Sequence, residues 1–179
     1  MRSSLVVAAA TTLVVAAAFA LSRPWSAPAL SATVAKQQAD VLLLPPAAPA
    51  GQMVLYGHIK KLARKGRRYE MRFDPAWFTS GVTASRAALE DTGSSDVPND
   101  NYVIEEGHRL LTYLVPTTAH VSVLTNNVKG ISSTAIPVSE LARIVNGGKH
   151  RKLFEPLDSG VWIRVRIDTV RELDQQYRP

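Results

Sequence analysis

The side chains able to do acid–base or ligand chemistry in this 179-residue chain are its 15 carboxylates, four histidines and 21 lysines and arginines. There is no cysteine, which removes disulfides, thiolate nucleophiles, Cys-bearing zinc sites and iron–sulfur clusters. No Gly-x-Ser-x-Gly, Ser-x-x-Lys or His-Glu-x-x-His pattern occurs, and no glycine-rich phosphate loop or dinucleotide fingerprint. A hydrolase working by two carboxylates needs no motif, only a pair separated by about 5 to 10 Å across a cleft. Asp74 with Glu105 or Glu106 is the first such pair to consider. His58, His108, His120 and His150 are scattered without metal-ligand spacing, so each reads first as a satisfied strand or surface histidine.

Between Arg86 and Glu106 the acidic side chains Glu90, Asp91, Asp96, Asp100, Glu105 and Glu106 face a single arginine. Hard oxygen ligands in a loop suit Ca²⁺, so Glu90, Asp91, Asp96 and Asp100 are the candidate cation ligands. Their spacing matches no EF-hand, and a solvated acidic loop is the simpler reading.

Cations cluster earlier in the chain. Lys60, Lys61, Arg64, Lys65, Arg67, Arg68 and Arg72 stand against Glu70 alone between residues 60 and 72. If the last strand lies beside this segment with matching parity, Arg164 and Arg166 extend the patch. Lys60, Arg68, Arg72, Arg164 and Arg166 are then the candidate ligand-binding residues, suited to an anionic cell-envelope polymer or a membrane surface. The competing reading is a solvated face whose charge discourages edge-to-edge pairing. Nucleic acid fits less well, because Tyr56 and Trp162 are the only aromatics on that parity available for base stacking. A non-enzymatic binding module, the carboxylate-pair hydrolase and a structural or protein-partner domain all stay open.

The elements that must position these groups follow from alternation. Tyr69, Met71 and Phe73 alternate with Arg68, Glu70, Arg72 and Asp74 at the two-residue period of a half-buried strand. Leu55, Gly57 and Ile59 share one parity in the preceding run, and Arg64-Lys65-Gly66 predicts a three-residue hairpin loop with Gly66 in the left-handed position. That loop sets Ile59 opposite Met71, Gly57 opposite Phe73 and Lys60 opposite Glu70. Asp74-Pro75 is expected to end the strand, since proline lacks a ladder donor.

A short helix is expected over 84–91, capped by Thr83 and stopped by Gly93, and a loop over 92–101. Further strands are expected at 102–104, 109–115 and 120–125, and a helix over 140–145 behind Ser139. The run from Val161 to Asp168 puts Val161, Ile163, Val165 and Ile167 on one side and Trp162, Arg164, Arg166 and Asp168 on the other. Trp77 and Phe78 suit a plug at the end of a barrel, or else the rim of a groove. Six strands and two short helices give a mostly β (α+β) domain, a small antiparallel barrel or curled sheet of OB-like or SH3-like type.

Arg2 precedes an uncharged run from Leu5 to Leu21, with small residues near its end at Ala18-Phe19-Ala20 and beyond it at Thr33-Val34-Ala35. This is a Sec-type signal pattern, with cleavage expected near Ala35. A retained anchor is the alternative, at the short end of the roughly 17 to 25 residues that span a bilayer. Cleavage removes Arg2 and Arg23 and takes the net charge from +6 to +4. Residues 36–52, with Pro45, Pro46 and Pro49, read as a linker, and 53–179 as a single β-rich domain without an integral membrane segment. An apolar content of 46% with 20% charged residues suits a packed domain of this size.

FDPAWF at 73–78, SGVTA at 80–84, ED at 90–91, VPNDNY at 97–102, EGHRLLTYLVP at 106–116 and the terminal QQYRP resemble a group of small exported proteins of Gram-positive bacteria. The pattern covers nearly all of 53–179. It is more distantly similar to Bacillus secreted proteins with an Asp-x-x-x-Trp segment, a Pro-Asn-Gly-Tyr-Tyr turn and a terminal Gln-Tyr-x-Pro, although Asp100 stands here where those have glycine. The resemblance implies a secreted or extracytoplasmic location and a shared fold, and carries no biochemical activity with it.

Overall fold

A computed structural model of the chain describes residues 48–178 except Glu106 and His108. The expected signal peptide at 1–35, the linker as far as residue 47, and the candidate carboxylate Glu106 lie outside the described residues.

The first hairpin joins β1 (Met53–Lys65) to β2 (Arg68–Ser80). Tyr69, Met71 and Phe73 are buried as alternation requires, while Arg68, Glu70 and Arg72 take the opposite face. The register differs from the expected one. Lys65 pairs with Arg68 across a two-residue turn, Gly66-Arg67, in which only Gly66 has positive φ, at 63°, the pattern of a II′ turn. Lys60 is then an extra residue between the pairs Ile59–Phe73 and Lys61–Arg72. This bulge is what sequence parity misses: it shifts β1 by one residue, so both Ile59 and Leu62 face the interior.

Pro75 does not end β2, which runs on to Ser80. On one edge β2 pairs with β4 (Leu111–Pro116) up to Phe73, and from Ala76 onward with β3 (Asn101–Glu105). Pro75 falls in the gap between those partners, where a missing N–H costs nothing. On the other edge it lies against Gly57, where an added Cβ would meet the Asp74 carbonyl oxygen at 2.1 Å. Only glycine allows the two backbones this close.

Helix α1 (Gly81–Thr92) follows Ser80 directly, starting earlier than the Thr83 cap predicted, and ends on Gly93 in the left-handed conformation. Chain order then gives β5 (His120–Asn127), β6 (Gly130–Ala135), α2 (Val138–Val145), β7 (Val161–Arg166) and β8 (Thr169–Gln175). The boundary of α2 is Pro137 rather than Ser139. Strands β6 and β8 were not legible: β6 is Gly-Ile-Ser-Ser-Thr-Ala, and β8 carries only Val170 and Leu173 as buried apolar residues, broken from alternation by a bulge beside Val165.

Strands β1, β2, β4, β8 and β7 close a five-stranded barrel. Counting barrel strands alone, the order is 1-2-3-5-4 returning to 1, and the third and fifth run parallel. That is the Greek-key topology of an OB-type barrel rather than an SH3-like one. Inside lie Leu62, Met71, Phe73, Val115, Ile163, Val165 and Leu173, each at most 1% exposed. Leu141 and Val138 of α2 join this core and cover one end, and the Asn146 side chain donates to the Leu62 carbonyl at 2.8 Å.

Ile167 is not on the inner face. It is 85% exposed in the two-residue β7–β8 turn, where Ile167 and Asp168 both have positive φ. Trp162 has the expected parity but is covered by Tyr56 and Phe78, whose rings lie 5.1 and 5.7 Å from it. Trp77 does not plug the barrel: it is 60% exposed, because β2 has left the barrel by that point to pair with β3.

Candidate functional site

Two regions carry the candidate groups, and strands β1 and β2 contribute to both. The first is convex. On the outer face, Lys61, Ala63 and Lys65 of β1 stand opposite Arg72, Glu70 and Arg68 of β2, which stand opposite Thr112, Leu114 and Pro116 of β4. Four cations thus surround one carboxylate. Lys65 donates to Glu70 at 2.6 Å, and this hydrogen bond holds the Glu70 carboxyl below its ordinary range. Arg72 donates to the Thr112 hydroxyl at 2.6 Å. Arg64 and Arg67 extend the charge around the exposed turn. The β7–β8 turn borders the same face, since the Leu114 N–H donates to the Asp168 carbonyl at 2.8 Å and Arg166 pairs with Thr169 beside it.

Of the five residues singled out from sequence, Arg68, Arg72 and Arg166 border this surface and the other two do not. Lys60, displaced by the bulge, forms a 3.1 Å ion pair with Asp74. Arg164 pairs with Glu172 and lies at the level of Val54, roughly 20 Å along β1 from the level of Arg72 at the usual strand rise. Tyr56 and Trp162 are both buried. Burial raises the Tyr56 phenol to about 12, and its hydroxyl donates to the Ser159 carbonyl at 2.7 Å.

The second region is concave, a cleft of about 930 Å³ between the bent part of β1 and β2, the end of β3, and the connection from α2 to β7. Asp74 and Glu105, the pair anticipated from sequence, both line it. Each has a partner: Asp74 the ammonium of Lys60, and Glu105 the His58 ring, with Nε2 2.7 Å from Oε1. His58 lies directly across from Asp74 on the neighbouring strand, which brings the three side chains to one face. Glu155, Asp158, Lys152 and His150 enter from the opposite wall. Burial is the main reason the Glu155 carboxyl is raised above its ordinary range.

That wall has no regular secondary structure at 148–156, and side chains hold it in place. Arg151 clamps Glu140 of α2 with two hydrogen bonds, 2.6 and 3.0 Å, which keeps the glutamate carboxyl below its ordinary range. Gln175, 1% exposed, accepts from the Leu124 N–H and donates to the carbonyls of Glu155 and Pro156 at 3.1 and 3.2 Å. The Phe154 N–H donates to the Leu124 carbonyl. Sequence reasoning missed Gln175, Glu155 and Asp158. The terminal QQYRP run was the available signal, because its two glutamines are both buried and hydrogen-bonded.

The candidate Ca²⁺ ligands are spread over separate contacts. Glu90 pairs with Arg86 at 3.0 Å, Asp91 accepts from the Tyr102 hydroxyl, and Asp100 sits in a short turn at positive φ. Among the described residues, no group of three or more His, Asp or Glu side chains is placed to hold a metal ion. No helix among them is long and apolar enough to cross a membrane. Comparison with protein-family models, curated proteins and solved structures finds no match to this chain.

Proposed function

We propose that this is an exported binding module of the cell envelope, related to the small Gram-positive exported proteins it resembles, which holds an anionic polymer or surface on the convex face of β1, β2 and β4. One observation carries the reading: Lys61, Lys65, Arg68 and Arg72 form a contiguous array around Glu70, flanked by the cationic β1–β2 turn. Such a field attracts polyanions, with a binding free energy that grows with the number of charges neutralised, and it weakens with salt. By fold-level analogy, OB-type barrels commonly bind polymers on this face and its bordering turns. With Tyr56 and Trp162 buried, neither stacking candidate is available for bases, which favours a polymer or surface of repeated phosphates over nucleic acid.

The test is retention of the intact protein on a poly(glycerol phosphate) matrix across a salt gradient. Lys61→Glu, Lys65→Glu and Arg68→Glu together should abolish retention; unchanged retention rejects the proposal.

A second reading, hydrolysis by two carboxylates, is favoured by Asp74 and Glu105 lining the same cleft. It requires turnover of an envelope polymer that is lost in Asp74→Asn and in Glu105→Gln, with the convex face intact.

A further inference from the structure

We infer that the cleft is a second, separate binding site, for an organic cation: an ammonium group carried on an apolar body. Its size falls within the usual range for small-ligand sites, roughly 300 to 1,000 Å³. One side is apolar, formed by Ile59, Ile144, Val145, Leu153 and Leu157, a surface that an alkyl or aromatic body would cover.

Charge decides what the other end of the ligand must be. Among the described residues, four carboxylates line the cleft (Asp74, Glu105, Glu155 and Asp158) against two lysines, Lys60 and Lys152, and two histidines, His58 and His150. Asp74 already has Lys60, and Glu105 already has His58. Among the described residues, Glu155 and Asp158 form no ion pair with a side chain. Glu155 accepts a 3.3 Å hydrogen bond from the Arg178 N–H. The two carboxylates therefore offer an incompletely compensated negative site three residues apart on one wall.

Lys152 and the nearby Arg178 are the competing cations. Arg178 lowers the Glu155 pKa through its backbone hydrogen bond and charge, yet burial is the largest influence and, with the Asp158 charge acting the same way, the net shift is upward. A half-buried carboxylate that its own protein does not fully compensate gains most from a cation brought by a ligand. Phe154 at the same wall, 39% exposed, offers a ring face to which an ammonium is also attracted. Gln175, Arg151 and the Phe154 backbone bond hold this wall in position before any ligand arrives, which lowers the cost of binding.

The ammonium can come from a free amine or from a lysine side chain on a peptide, and one titration separates them. Hexylammonium, hexanol and hexanoate share a body and differ in charge; acetyl-Leu-Lys-Leu-amide presents the same ammonium on a peptide. Each is added to the intact, isotope-labelled protein while backbone amide shifts are followed. Saturable shifts confined to residues 58–60, 74, 105 and 144–158 are expected with hexylammonium or the lysine peptide. The tighter of the two identifies the source. Hexanol and hexanoate should bind at least tenfold more weakly, and Glu155→Gln with Asp158→Asn should weaken the ammonium at least tenfold.

Tightest binding by hexanoate, equal binding by hexylammonium, hexanol and hexanoate, shifts falling on residues 61–72, or no saturation by any probe would each overturn the inference. The titration of the unaltered protein decides the matter even if the double variant folds poorly. The Lys61, Lys65 and Arg68 reversal should leave ammonium binding unchanged, so failure of this site and failure of the convex face are distinguishable.

Discussion

On the convex face, Lys61, Lys65, Arg68 and Arg72 stand in or near solvent around one glutamate, whereas in the cleft Asp74 is matched to a lysine and Glu105 to a histidine. The same two strands supply groups to both regions. What separates them is one inserted residue and one close approach: the bulge at Lys60 turns that lysine from the basic array toward Asp74, and Gly57 lets β1 press against the Asp74-Pro75 backbone. Exposed charge in excess costs little in stability and is available to a polymer. In the cleft the carboxylates divide instead into those with a partner, Asp74 and Glu105, and those without an ion pair among the described residues, Glu155 and Asp158.

The largest effect is expected where the two regions part. Gly57→Val places side-chain atoms where even a Cβ would lie 2.1 Å from the Asp74 oxygen and 2.8 Å from the Phe73 ring. The cost should be about 3 kcal/mol or more, read as a lowered urea midpoint. If the variant is as stable as the parent, the crossing of β1 and β2 is not the fixed point from which the cleft is built.

Gln175→Ala should act on the cleft alone. It leaves the Leu124 N–H and the Glu155 and Pro156 carbonyls short of a partner, a loss of about 2 kcal/mol. Amide exchange at 153–157 should accelerate while salt-dependent retention on polyanion stays as it was. Equal loosening of the β1–β2 turn would mean that the regions are mechanically coupled.

A smaller effect, dependent on pH, is expected from the Glu140–Arg151 pair. The folded carboxyl titrates below its unfolded value, because Arg151 donates to the ionised form. Its contribution to stability is therefore present above the ordinary carboxylate range and lost as pH falls through the lowered folded value. Thermal midpoints of the parent and of Glu140→Gln should differ near neutral pH and converge as pH drops below about 4. A difference that widens in acid contradicts the assigned sign.

Much of the barrel was legible because one face of each central strand is oily and the other is not: Tyr69, Met71 and Phe73, then Val161, Ile163 and Val165, sort correctly by parity. Failures occur where a residue is added or a partner changes. Nothing local marks Lys60 as an inserted residue, and Pro75 reads as a stop unless one knows that β2 exchanges β4 for β3 there. β6 lacks an apolar face, so alternation has nothing to report. Asp74 and Glu105 could be nominated from sequence as ionisable groups near strand ends. Glu155 and Asp158 could not, since a segment held by Gln175 and Arg151 from elsewhere in the chain leaves no periodic trace.

The most direct measurement is an amide-shift titration of the intact protein with soluble poly(glycerol phosphate) at low and high salt. Shifts clustered on residues 61–72 and 112–116 that collapse at high salt are expected if the convex array is the polyanion site. Shifts centred on 144–158 instead, or an array that remains silent at low salt, would contradict it.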